Sequence, residues 1–134
     1  MDFTKLPLDI DAMLKRLRPW IECESPTFDA AAVDRMMDLA ATDFATIGAT
    51  IERIPGRRGL GGSLRARFGD TRDTPGILVS GHLDTVHPVG TLKELPFRIE
   101  DTRAYGPGIL DMKGGTFLVF EAMRQLLNTG IGTR

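Results

Sequence analysis

The sequence predicts an α/β fold, a mixed β-sheet layered with helices. Three observations predict it. Apolar residues recur at helical spacing over residues 8–22, 29–47 and 112–127. Apolar and polar residues alternate over 50–54 and 63–68. One short unbroken apolar run, Gly76-Ile77-Leu78-Val79-Ser80, reads as a strand covered on both faces.

In the first helix, Leu8 to about Glu22, the apolar stripe is Ile10, Met13, Leu14, Leu17 and Ile21, and Ser25-Pro26-Thr27 breaks it. The second, Asp29 to Ile47, carries Ala32, Val33, Met36, Met37, Ala40 and Phe44, and Gly48 ends it. Thr50–Ile54 and Ser63–Phe68 flank the turn Pro55-Gly56-Arg57-Arg58-Gly59, which makes them a hairpin. A second turn, Thr71–Pro75, leads into the apolar run. His82 falls just past that run, at the strand rim where open α/β sheets bind ligands. Thr85–Pro96 is a loop with two prolines, and Phe97–Ala104 is a short strand or hairpin. The third helix, Met112–Leu127, is expected to bury Gly115, Val119, Ala122, Met123 and Leu126, with Asn128-Thr129-Gly130 as its stop. Helices, then strands, then a helix imply layers around one core.

Composition narrows the function. The chain has 134 residues, enough for one domain, with 42% apolar and 26% charged residues and a net charge of −1. That balance gives no global attraction to nucleic acid or an anionic membrane. No window reaches the roughly 20 apolar residues of a membrane span. Met1-Asp2-Phe3-Thr4-Lys5 lacks the basic start and apolar core of a signal peptide, so a cytoplasmic location is expected. Cys23, the single cysteine, rules out an internal disulfide and a thiolate zinc cluster, and reads as a small half-buried residue at a helix end.

Two stretches carry chemistry. In Ser80-Gly81-His82-Leu83-Asp84-Thr85-Val86, residues 82 and 84 of an extended segment point to one side. The Asp84 carboxylate can then fix the His82 tautomer and free the other ring nitrogen for a metal. A solvated surface pair is the plain alternative. In Gly106-Pro107-Gly108-Ile109-Leu110-Asp111-Met112-Lys113-Gly114-Gly115, a carboxylate opens a helix. The plain reading of Asp111 is an N-cap. Two glycines in the first helical turn, at about 1 kcal/mol each against alanine, exceed what a cap requires. They point to close approach of backbone to a ligand or another strand. A P-loop is excluded because Lys113 is followed by glycine, and the dinucleotide spacing is absent because residue 111 is not glycine. Lys113 reads as a solvated or supporting charge with no metal role, and His87 as a plain loop histidine or one lining the site, in preference to a ligand. Arg53, Arg57, Arg58, Arg65 and Arg67 lack interleaved aromatics, so they read as a charged sheet edge, and no nucleic-acid partner is expected.

On Ser25-Pro26-Thr27, Gly81-His82-Leu83-Asp84-Thr85-Val86 and Gly106 to Gly115, the chain resembles the di-zinc peptidases and deacylases. That family includes acetylornithine deacetylase, succinyl-diaminopimelate desuccinylase, aminoacylase and bacterial glutamate carboxypeptidase. Leu92-Lys93-Glu94-Leu95-Pro96-Phe97 leans toward the glutamate carboxypeptidase branch. The resemblance implies that residues 1–134 are the N-terminal portion of a metallopeptidase catalytic domain, without the lid domain and the C-terminal catalytic portion. It implies that His82 ligates one metal, that Asp111 bridges two, and that Asp84 joins the catalytic set by orienting His82. It also implies a cis peptide at Asp111–Met112. The cofactor would be zinc, two ions in the complete site, with cobalt or manganese also acceptable to such ligands. The activity would be hydrolysis of an amide bond in a small peptide or N-acyl amino acid, as in a carboxypeptidase or deacylase. The family's Glu-Glu pair and late histidine have no counterpart, since Glu121 is the sole acidic residue after Asp111. The chain alone is therefore expected to be inactive. The alternative is a non-catalytic remnant that associates with a partner or with itself as a homo-oligomer.

Overall fold

The computed structural model describes residue 6 and residues 8–69 and 76–128. Among the described residues there are three α-helices and two small antiparallel sheets: α1 (Ile10–Glu22), α2 (Ala30–Thr46), β1 (Thr50–Ile54), β2 (Ser63–Arg67), β3 (Arg98–Glu100), β4 (Arg103–Tyr105) and α3 (Gly114–Asn128). The α/β class follows from this order. The Thr71–Pro75 turn and the Thr129-Gly130 part of the last helix stop lie outside the described residues.

Local chemistry sets the boundaries. The Asp9 side chain accepts the Ala12 N–H and caps α1, and the Asp29 side chain accepts the Ala32 N–H and caps α2. Gly48, at φ 89°, turns the chain out of α2. The predicted hairpin forms with Thr50 opposite Arg67 and Ile54 opposite Ser63. Its arginines meet acids: Arg65 and Arg67 face Glu52, and Arg53 reaches Asp34 and Asp38 on α2. β3 and β4 pair in register from Arg98–Tyr105 to Glu100–Arg103, with Asp101 in the left-handed region at the tip.

The core is aromatic. Trp20 of α1 is fully buried, meets Phe117 edge-on at 5.3 Å, and donates its indole N–H to Asp43. Phe44 of α2 meets Phe120 edge-on at 5.4 Å. Such tilted and T-shaped pairs add to the burial energy of the rings themselves. Leu17, Ile21, Met36, Ala40, Leu83 and Phe97 complete the cluster.

Two expectations need correction. α3 buries Phe117, Phe120, Glu121 and Gln125, while Gly115 and Ala122 face solvent. The helix is apolar on several sides, so spacing alone allows more than one face. The phenylalanines carry the larger area and decide which face turns inward. The run Gly76–Ser80 has no strand pairing, and Ile77 and Leu78 are 95% and 92% exposed. A strand covered on both faces needs neighbours on both edges, and the described strands pair only within their own hairpins.

Candidate metal centre

The site is built where two loops meet at the end of α1. Ser25-Pro26-Thr27 lies beside the His82–Val86 segment through a parallel bridge between Pro26 and Thr85. Thr85 N–H donates to Ser25 O at 2.8 Å and Thr27 N–H to Thr85 O at 3.0 Å. The buried Ser25 hydroxyl donates to Leu83 O at 2.6 Å. Glu24 accepts the N–H groups of Gly90 and Leu92, at 2.8 and 3.0 Å, and so holds the following loop. Partial burial opposes its ionisation, but the Gly90, Leu92 and Thr91 N–H groups and the Lys113 charge outweigh it and keep the carboxyl below its ordinary range.

The second loop needs tight approach. Gly108 sits at φ 70°, and a Cβ there would stand 2.4 Å from the Thr85 side chain. A Cβ on Gly81 would stand 2.8 Å from Thr116 Oγ1 of α3. Glycine at these positions therefore seats one segment against the other. An irregular turn, Ile109–Lys113, follows Gly108, with Asp111 and Met112 outside helical geometry. The Asp111–Met112 peptide is cis, as the family resemblance implies. Asp111 thus stands in this turn, three residues ahead of α3.

The three predicted site residues come together. His82 Nε2 lies 3.0 Å from Asp111 Oδ1, across 29 residues of sequence. His82 Nδ1 lies 3.1 Å from the carbonyl oxygen of Asp84 and 3.3 Å from its Oδ1. On this side the ring's hydrogen-bond partner is the Asp84 carbonyl, and the carboxylate stands close by as a charge. Asp84 is the less exposed aspartate, and the Asp111 side chain is 80% exposed.

Both imidazole nitrogens face oxygen acceptors, yet a neutral ring carries one N–H. Either the ring is protonated or a cation stands between Nε2 and Asp111. Partial burial works against the proton. The Asp84 carbonyl, the Asp111 carboxylate and both aspartate charges outweigh it and raise His82 above its ordinary value. The same set suits a metal. Zinc bonds of about 2.0–2.2 Å in tetrahedral geometry separate neighbouring ligand atoms by about 3.3 Å, close to the observed gap. Among the described residues, His, Cys, Asp and Glu side chains form no cluster of three arranged around a metal.

Lys113 departs from its sequence reading. It is 1% exposed, and its ammonium donates to Trp20 O at 3.1 Å and Cys23 O at 2.6 Å. Burial pushes it down to about 8, against the pull of Cys23, Glu24 and Asp84. Burial also raises the half-buried Cys23 thiol, despite Lys113 and Arg35. Sequence reasoning does not single out Glu24 or the side chains of Ser25 and Thr27. A polar cluster at a helix end beside a proline is the available signal. His87 is half-buried in its loop.

The chain is similar to known proteins. Residues 78–134 match the model of Peptidase family M20/M25/M40. Carboxypeptidase G2 from Pseudomonas sp. (strain RS-16) is 29% identical over 125 residues, which are 90% of this chain and 29% of that protein. The crystal structure of human carnosine dipeptidase 1 superimposes with a TM-score of 0.74 at 21% identity, over 90% of this chain and 29% of that one. The chain thus spans about 29% of the length of each of these proteins. In sequence, residues 78–134 are thus similar to the M20/M25/M40 peptidases, and the fold of the described chain is similar to that of human carnosine dipeptidase 1.

Proposed function

We propose that this chain forms one wall of a metal-dependent site that hydrolyses amide bonds. The supporting observation is the 3.0 Å approach of His82 Nε2 to Asp111 Oδ1, with Asp84 behind the ring. His82 would be a terminal ligand and Asp111, its side chain open to solvent, a carboxylate able to bridge two ions. Zinc is the preferred metal, and cobalt or manganese also suit imidazole and carboxylate. When bound, two such ions polarise a carbonyl and lower the pKa of water. The chain's own part is to hold His82 in one tautomer and to present Asp111 outward. Asp84, reached through His82, is a positioning residue.

The named relatives are a carboxypeptidase and a dipeptidase, which favours a small peptide or N-acyl amino acid as substrate. Catalytic zinc takes three protein ligands, and this wall offers two. The isolated chain is therefore expected to bind metal weakly and to leave amides intact. Cobalt titration of the purified chain should give weak binding that His82→Ala and Asp111→Asn abolish. Equal affinity in wild type and His82→Ala would end this reading, and two tightly held zinc equivalents would overturn the weak-binding expectation. Assays with dipeptides, glutamyl amides and N-acyl amino acids, with and without chelator, should show no turnover by this chain.

A second reading, a non-catalytic association module, draws on the exposed apolar residues Ile77, Leu78, Val86 and Leu110. Preserved association together with His82→Ala-insensitive cobalt binding would favour it.

A further inference from the structure

The parallel bridge beside the site is built so that proline costs it nothing. Its two backbone bonds use Ser25 O and Thr27 N–H, so the N–H that Pro26 lacks is not needed. The bridge sets Thr27 against Asp84. Thr27 Oγ1 lies 2.6 Å from Asp84 Oδ2 and 3.3 Å from Thr85 O. A threonine has one hydroxyl proton, and the short, charge-assisted bond to the carboxylate takes it. Asp84 Oδ2 is then occupied, and Oδ1 is left facing His82 Nδ1 at 3.3 Å. From Ser25-Pro26-Thr27 a chain of contacts runs through Asp84 and His82 to Asp111.

We propose that Thr27 is a positioning residue of the metal centre, whose hydroxyl fixes the Asp84 carboxylate and so the negative charge that stands 3.3 Å from the His82 ring. The inference rests on the metal reading above and adds a residue from outside the His82–Asp84 and Asp111 stretches. Groups one step behind a metal ligand, as Asp84 is, commonly change affinity by about 10–100-fold when removed, and Thr27, one step further out, is expected at the low end.

The test is a cobalt titration of the 134-residue chain, followed through the His82 ring resonances by NMR, with thermal melting as a control. Thr27→Val keeps the β-branched shape and loses the hydroxyl. It should raise the cobalt dissociation constant about tenfold. Thr27→Ser should restore wild-type affinity to within about twofold, because it returns the donor. If Thr27 acts through Asp84, the double variant Thr27→Val/Asp84→Asn should bind cobalt no more weakly than Asp84→Asn alone. Thr27→Ala replaces Thr27→Val if the latter does not fold. Wild-type affinity in Thr27→Val, with binding abolished in His82→Ala, would overturn this inference and leave the metal reading intact. Full additivity in the double variant would also overturn it. Unchanged binding in His82→Ala would overturn the metal reading and this inference with it.

Discussion

Glu121 is 2% exposed in the middle of α3, where two guanidinium groups hold it. Arg16 of α1 bonds one carboxylate oxygen, and Arg124 bonds the other at 3.0 Å. Burial by itself would raise this carboxyl, but the hydrogen bonds and charges of Arg16 and Arg124 outweigh it and lower it. The folded chain therefore releases this proton more readily than the unfolded chain, whose ordinary value is 4.5. Stability from Glu121 is present above that value and is lost as pH falls through the folded one. Replacing Glu121 by Gln leaves two part-buried cations without their anion. The expected loss is about 2–4 kcal/mol at pH 7, below the cost for a fully buried pair because both arginines keep some water. The variant should also show a flatter decline toward acid. Urea unfolding at pH 7 and at stepped acidic values checks both outcomes. In the sequence Glu121 is legible only as an acid without an acidic neighbour, because its partners Arg16 and Arg124 are assigned by packing.

At the scale of elements, the end of α1 organises the site. Its carbonyls at Trp20 and Cys23 accept the Lys113 ammonium, which ties the helix to the turn carrying Asp111. Lys113→Met fills similar space and donates nothing. Two carbonyls near the core would lose their donor, at about 1–3 kcal/mol for each that stays dry. Urea unfolding should show a loss of about 1–3 kcal/mol if one carbonyl stays dry and about 2–6 kcal/mol if both do, and a neutral result would mean that water replaces the ammonium. The aromatic contact between α1 and α3 contributes on a similar scale. Trp20→Ala should cost about 3–5 kcal/mol, measured in the same way. Helix positions are readable from spacing, cap and breaker residues, since these act within a few residues. The inward face of α3 and the burial of Lys113 are not. A lysine with no acidic neighbour beyond Asp111 reads as solvated, and its carbonyl partners lie 93 and 90 residues away.

For the whole molecule, the most exposed apolar run among the described residues is at Ile77 and Leu78, 95% and 92% exposed. Apolar side chains in an unpaired segment invite pairing with another chain. The isolated chain is expected to self-associate with rising concentration, and Ile77→Lys with Leu78→Glu should shift it toward monomer. Sedimentation velocity of both proteins reads the difference, and identical profiles would assign association to another surface. The segment reads as a covered strand in the sequence because composition reports what a segment would bury. It does not report whether neighbouring strands are at hand to cover it.

The sequence by itself determined the helices and the first hairpin, left residues 97–104 as a strand or hairpin, and nominated an imidazole segment together with a glycine-flanked aspartate, because turn chemistry, periodicity and motif spacing are local properties. Only the tertiary structure decided that His82 and Asp111 come within 3.0 Å, that Lys113 is interior, and that Thr27 touches Asp84. Those outcomes depend on how α1, the parallel bridge and the Asp111 turn pack together. Contacts between residues far apart in the chain are fixed by the packing of the whole, and no short window of sequence contains both partners.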